Sequence, residues 1–184
     1  MSRRSVLGAA GAVAVGGLAG CLGDDGQARA PTPTSLGGGQ TCDNCGMVIG
    51  EHHGPNGQIF FEANGPEDHG NPARFDSLAP CLFPYYFSKR DLGWTAARVY
   101  VTDYAVLDYE VETREGEPYL SSHTQPDSFA AADGLLYVVE SRLQGAMGPD
   151  LVPFSSRSQA ESLVDEYGGR IVEFEDIDPS LLGR

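Results

Sequence analysis

Apolar and polar residues change places every few positions from residue 41 onward, and turn formers punctuate the pattern. Residues 48–49 and 58–62 flank Gly54-Pro55-Asn56-Gly57, a composition that predicts two strands joined as a hairpin. Over 78–88, Leu78, Cys81, Leu82, Phe83, Tyr85, Tyr86 and Phe87 predict a buried helix that Pro80 helps to start and Pro84 disturbs. A strand over 97–102 completes the first half. The second half repeats the plan, with strands over 135–140 and 151–154, a helix over 156–167 and a last strand over 170–174 after Gly168-Gly169. In that helix Ala160, Leu163, Val164 and Tyr167 stand at core spacing, and Ser155 or Ser156 is available as a cap. Phe75-Asp76-Ser77 before one helix corresponds to Phe154-Ser155-Ser156 before the other. Residues 103–133 between them are polar and turn-rich, with 121–127 read as a loop. The expected architecture is α+β: two small related ββαβ units, over 41–110 and 111–184, packed as one compact protein.

Ahead of this pattern the sequence changes character. Ser2-Arg3-Arg4-Ser5-Val6-Leu7 followed by an uncharged stretch over 8–20 reads as a twin-arginine (Tat) export signal. The apolar run over 6–20 is shorter than the ~20 residues of a membrane-spanning helix. Leu18-Ala19-Gly20-Cys21 resembles a lipobox, so residues 1–20 are expected to be removed and Cys21 to carry the lipid. Residues 21–40 hold Pro31, Pro33 and Gly37-Gly38-Gly39 with few apolar positions, the composition of a flexible tether. The expected location is extracytoplasmic, anchored by lipid to the outer face of the cytoplasmic membrane, where exposed thiol pairs tend to oxidise.

Charge narrows the function. Among 184 residues, 26 are acidic and 12 basic, for a net charge of −14. The basic residues are eleven Arg and Lys89, scattered, which excludes a phosphate-tracking surface for nucleic acid. Surplus carboxylates with almost no Lys read as a salt-adapted, halophilic surface. An apolar content of 41% is ordinary for a packed protein of one or two small domains. No Gly-x-Ser-x-Gly elbow is present, and Gly37-Gly38-Gly39 precedes no helix, so hydrolase and phosphate-loop chemistries have no foothold.

The segment richest in chemistry is Cys42-Asp43-Asn44-Cys45-Gly46-Met47. Four readings compete for it: a thiol redox pair, a zinc site, a structural disulfide between Cys42 and Cys45, and a Cu(I) site. A redox pair is normally followed by a helix, and a zinc site by a second pair of ligands. Cu(I) is soft and selects thiolate and thioether ligands. Beyond Met1, the methionines are Met47 and Met147, each in a Gly-rich, non-helical setting. If the halves pack face to face, one mixed Cys/Met site at their junction follows. His52 or His53, a few residues after Met47, is a further candidate ligand, whereas His69 and His123 stay unassigned. Cys81, among Leu82, Phe83 and Tyr85, reads as core.

These segments resemble the NosL family of lipid-anchored copper chaperones. The matching stretches include Cys45-Gly46-Met47-Val48-Ile49, Glu51-His52, Arg98-Val99-Tyr100-Val101-Thr102-Asp103, Tyr137-Val138-Val139-Glu140-Ser141, Gly145-Ala146-Met147-Gly148 and Gly168-Gly169-Arg170-Ile171-Val172. The resemblance implies a non-enzymatic carrier that delivers Cu(I) outside the cytoplasm to nitrous oxide reductase, with a membrane transporter complex as a further partner. It implies metal ligation by Cys45 as the anchor, by Met47 and Met147, and by His52, with Cys42 an additional thiol that departs from many members. The alternative class is an extracytoplasmic thiol oxidoreductase using Cys42 and Cys45.

Overall fold

The computed structural model describes residues 30–183. The export signal, Cys21 and residues 21–29 of the expected tether lie outside the described residues. Strands β1 (Gly57–Phe61) and β2 (Ala73–Phe75) pair antiparallel. A π-helical turn, Leu78–Leu82, runs into α1 (Phe83–Asp91), and β3 (Ala96–Thr102) returns to pair with β1. Two strands then form an antiparallel pair, β4 (Val111–Arg114) and β5 (Glu117–Leu120), and β6 (Phe129–Ala131) adds to β3. The second half runs β7 (Leu136–Val139), β8 (Gln144–Gly145), β9 (Gly148–Pro149), β10 (Val152–Phe154), α2 (Arg157–Tyr167) and β11 (Arg170–Glu173).

The sheet orders carry the repeat. The first sheet is β2-β1-β3-β6, the second β10-β7-β11, and the third β4-β5-β8-β9. With β6 set aside, the first two sheets share one order and one ββαβ path. Their second strands end in Phe75 and Phe154, both fully buried. The first sheet takes β6 from beyond residue 110, so the chain crosses back after the expected boundary.

Packing follows from the two-residue period of the strands. On β7, Tyr137 and Val139 join the core shared with α1 and the first sheet, while Val138 faces the core under α2. Phe83 of α1 meets the Tyr137 ring edge-on at 6.1 Å, which seats the first helix on the second sheet. The two halves also exchange carboxylates. Asp103 Oδ1 accepts the N–H of Ser155 at 2.9 Å, and Asp150 Oδ1 accepts that of Ala79 at 2.7 Å.

Several expectations are corrected. The partner of β1 is β2, not residues 48–49, which form an isolated bridge to Thr41 and a short 3₁₀ turn at Ile49–Glu51. The expected tether is not free over 31–40: Leu36 is fully buried, Gln58 exchanges hydrogen bonds with Thr34, and the Tyr100 hydroxyl donates to the Pro31 carbonyl at 2.6 Å. Residues 103–133 carry three strands, with Glu115 (φ 52°) and Gly116 (φ 89°) making the left-handed two-residue turn between β4 and β5. Ser156 does not cap α2 with its side chain; its hydroxyl meets that of Ser158. The helix expected over 78–88 begins with a wide turn, in which Leu82 donates to the Ser77 carbonyl and Phe83 to that of Leu78. Pro80 and Pro84 lack the N–H that a regular α-ladder needs at those positions.

Candidate metal centre

Residues 41–48 fold into a tight loop closed by the Thr41 to Val48 bridge. The Cys42 N–H donates to the Met47 carbonyl at 2.8 Å, and the Gly46 N–H to the Cys42 carbonyl at 2.9 Å. Gly46 makes the bend at φ 78°, a conformation that a Cβ disfavours. Asp43 lashes the loop to β2: its N–H donates to the Arg74 carbonyl at 2.8 Å, and its Oδ2 accepts the Arg74 N–H at 2.6 Å. Its Oδ1 faces His69 Nε2 at 2.9 Å. Asn44 reaches the other wall, donating to the Pro80 carbonyl.

This lashing sets Cys42 and Cys45 against the end of β2 and the π-helical turn. One ligand atom each from Cys42, Cys45, Asp76 and Cys81 lies within 4.8 Å of the others, and all but Cys45 are buried. All three cysteines are free thiols. The Cys45 thiol donates to Asp76 Oδ2 at 3.3 Å. From the second half, the turn between β8 and β9 brings Met147 Sδ to 3.7 Å from Cys81 Sγ. Met147 is 50% exposed, so the buried sulfurs have a thioether at their solvent side. The widened turn aims Cys81 out of an otherwise apolar helical stretch, a use of π-turns that recurs at functional sites.

Hydrogen bonding divides the protons unequally. The Cys81 thiol, with backbone N–H groups, holds Cys42 down to about 7 against the effect of burial. Burial, and then the negative neighbours Cys42 and Asp76, push Cys45 up to about 11. Cys81 is pushed up by its bond to Cys42 and by burial. Of the three thiols, Cys42 is thus the one that its neighbours ease toward the thiolate, while burial and the bond to Cys42 hold the protons on Cys45 and Cys81.

The structure brings together Cys42, Cys45 and Met147 of the residues singled out in the sequence. Met47 is half-buried in the same loop and closes it through its backbone carbonyl. His52 is not among the clustered ligand atoms; it lines a cavity of about 320 Å³ with Glu51, His53, Arg114 and Tyr119, and with Gly145 and Ala146, which lead into Met147. Two members of the cluster escaped the sequence reading. Cys81 is as buried as a core residue, which is how it was read, yet its sulfur faces the other thiols. Asp76 had a visible signal: it stands in the repeated Phe-x-Ser signature where the second half has Ser155.

Three thiols with a thioether at the rim, sealed by two packed halves, are a donor set for a soft metal ion. The family model described as NosL matches residues 33–182. The chain belongs to the NosL family. It is 30% identical over 168 residues to the copper-binding lipoprotein NosL of Stutzerimonas stutzeri, covering 90% of this chain and 76% of that protein. It is 31% identical over 175 residues to the copper-binding lipoprotein NosL of Achromobacter cycloclastes, covering 93% and 79%. The crystal structure of the copper chaperone NosL from Shewanella denitrificans shares the fold, with a TM-score of 0.63 at 24% identity, covering 80% of this chain and 96% of that one.

Proposed function

We propose that this NosL protein is an extracytoplasmic carrier of Cu(I), tethered to the outer face of the cytoplasmic membrane through lipid on Cys21. The observation that carries the reading is the convergence of the Cys42, Cys45 and Cys81 sulfurs with the Met147 thioether. Cu(I) is the cargo. Cys42, the thiol whose neighbours lower it most, anchors it first; Cys45 and Cys81 close on it as they lose protons, and Met147 shields the solvent side. Met47, in the same loop, is proposed as a further thioether donor. His52 is proposed outside the immediate ligand set, since it is not among the clustered ligand atoms. No covalent bond of a substrate is broken, so the role is that of a carrier rather than an enzyme.

Release follows from the same asymmetry. An uncharged thioether at the rim is the ligand most easily displaced by a partner offering stronger donors, after which the thiols can be reprotonated. The recipient in this proposal is nitrous oxide reductase, working with a membrane transporter complex, as the family resemblance implies. The test of binding is an anaerobic competition titration of the reduced protein with a chromophoric Cu(I) chelator. One equivalent bound tightly, and about tenfold or more weaker in Met147→Ala, is expected; no stoichiometric binding would contradict the proposal. The test of delivery is the copper content of nitrous oxide reductase from cells carrying Cys42→Ala and Cys45→Ala, which is expected to fall.

A further inference from the structure

We propose that Asp150 is the residue that holds Met147 in register with the thiols, acting as a positioning residue for a metal site split between the two halves. The inference rests on the Cu(I) reading above. Met147 sits on a hairpin with little hold of its own. Strands β8 and β9 are two residues each, their inner rung is Gly145 opposite Gly148, and β8 joins β5 through one parallel rung, Tyr119 opposite Gln144. Isolated short hairpins are marginal in water. With its side chain half exposed, Met147 takes its position from the hairpin backbone.

Asp150 follows β9 directly and is 5% exposed. Its Oδ1 accepts N–H groups from Ala79 at 2.7 Å, Leu151 at 2.8 Å and Leu78 at 3.2 Å, and its Oδ2 accepts Leu78 again at 3.1 Å. Leu78 and Ala79 open the π-helical turn that carries Cys81. The first N–H groups of a helical run have no partner within it, and a carboxylate there satisfies them. One side chain of the second half thus satisfies the start of the turn that presents Cys81, three residues after presenting Met147. The hairpin is shaped around it: a Cβ on Gly145 would stand 3.0 Å from Asp150 Oδ2 and 3.2 Å from Asp150 Cβ. On the other side, a Cβ on Gly54 would lie 2.5 Å from Gly145 Cα, so the hairpin is pressed between the loop after His53 and the Asp150 side chain.

A plain structural cap and a positioning residue differ in one respect: only the second acts through Met147. The test is a double-mutant cycle on Cu(I) affinity with wild type, Asp150→Ala, Met147→Ala and the double variant. Asp150→Ala is expected to weaken binding about tenfold in the wild-type background and by a clearly smaller factor once Met147 is gone, the remainder coming from the loosened start of the Cys81 turn. Should Asp150→Ala fail to fold, Asp150→Asn serves, because its Oδ1 keeps Ala79 and Leu151 while its amide turns a donor against the Leu78 N–H; a loss of about threefold, again larger in the Met147 background, is expected. Equal losses in both backgrounds, or none in the wild-type background, overturn the role of Asp150 and leave the copper site standing. An affinity unchanged by Met147→Ala alone overturns the split site itself, and the role of Asp150 with it.

Discussion

Cys81 Sγ lies 3.7 Å from Met147 Sδ although 66 residues separate them in the chain. The contact joins the π-helical turn of the first half to the hairpin of the second, so the site exists only when the halves are packed. Cys81 does a second job, since its hydrogen bond is the largest influence lowering Cys42 to about 7. Cys81→Ala is therefore expected to move the Cys42 thiolate back up toward the ordinary thiol range, and to weaken Cu(I) binding. Thiolate absorbance against pH in the metal-free protein checks the first outcome; an unshifted titration would show that Cys42 is held down by something else.

The proton inventory sets the pH dependence of loading. Burial pushes the Cys45 thiol up, so its ligation to Cu(I) releases a proton. Cys42, lowered by its bond from Cys81, has a proton to lose mainly toward the acid end of the range. As pH is lowered, log affinity is expected to fall throughout the range, because each thiol that binds gives up its proton, and to fall more steeply once Cys42 too is protonated. Titrations between pH 5.5 and 9 with a chelator of known protonation check this. A flat profile would exclude thiolate ligation.

How much of this was legible in the sequence depends on which force shaped each part. Helix α2 was legible because Ala160 and Leu163 bury at helical spacing, and β7 because its apolar run is buried on both faces. Strands β4 and β5 were not, because they are mostly exposed and no apolar alternation marks them. Residues 31–40 looked like linker because their hold is polar, through Thr34 and Gln58, and only Leu36 is driven by burial. At the site, Cys42, Cys45 and Met147 were visible as residue types. Cys81 was hidden by apolar neighbours, since only the widened turn reveals where its sulfur points.

Asp150 gives the apoprotein a pH signature. Burial pushes its carboxyl up to about 7, against the pull of backbone N–H groups from Ala79, Leu151 and Leu78. The folded state then holds the Asp150 proton more tightly than the unfolded chain. Its stabilising contribution is complete below the ordinary carboxyl range and is lost as pH rises through about 7. The stability difference between wild type and Asp150→Asn is expected to favour wild type more at pH 5 than at pH 8. Denaturant unfolding at the two pH values checks it, and a difference independent of pH would contradict it.

A net charge of −14 spread over the chain repels itself at low ionic strength. Screening shortens the range of that repulsion to about 3 Å at 1 M salt. The midpoint of thermal unfolding is expected to rise steadily from about 0.1 M to about 1 M sodium chloride, where the Debye length contracts from ~10 Å to ~3 Å. A midpoint that does not move would remove the case for a salt-adapted surface.

The central claim is that one Cu(I) ion is held by sulfur from both halves. X-ray absorption at the copper edge of the anaerobically loaded protein reads it directly. Wild type is expected to give an all-sulfur first shell, and Met147→Ala a shell with one sulfur fewer. Indistinguishable shells in the two proteins, or a dominant nitrogen shell abolished by His52→Ala, would contradict a site built from the Cys42, Cys45 and Cys81 thiols and the Met147 thioether.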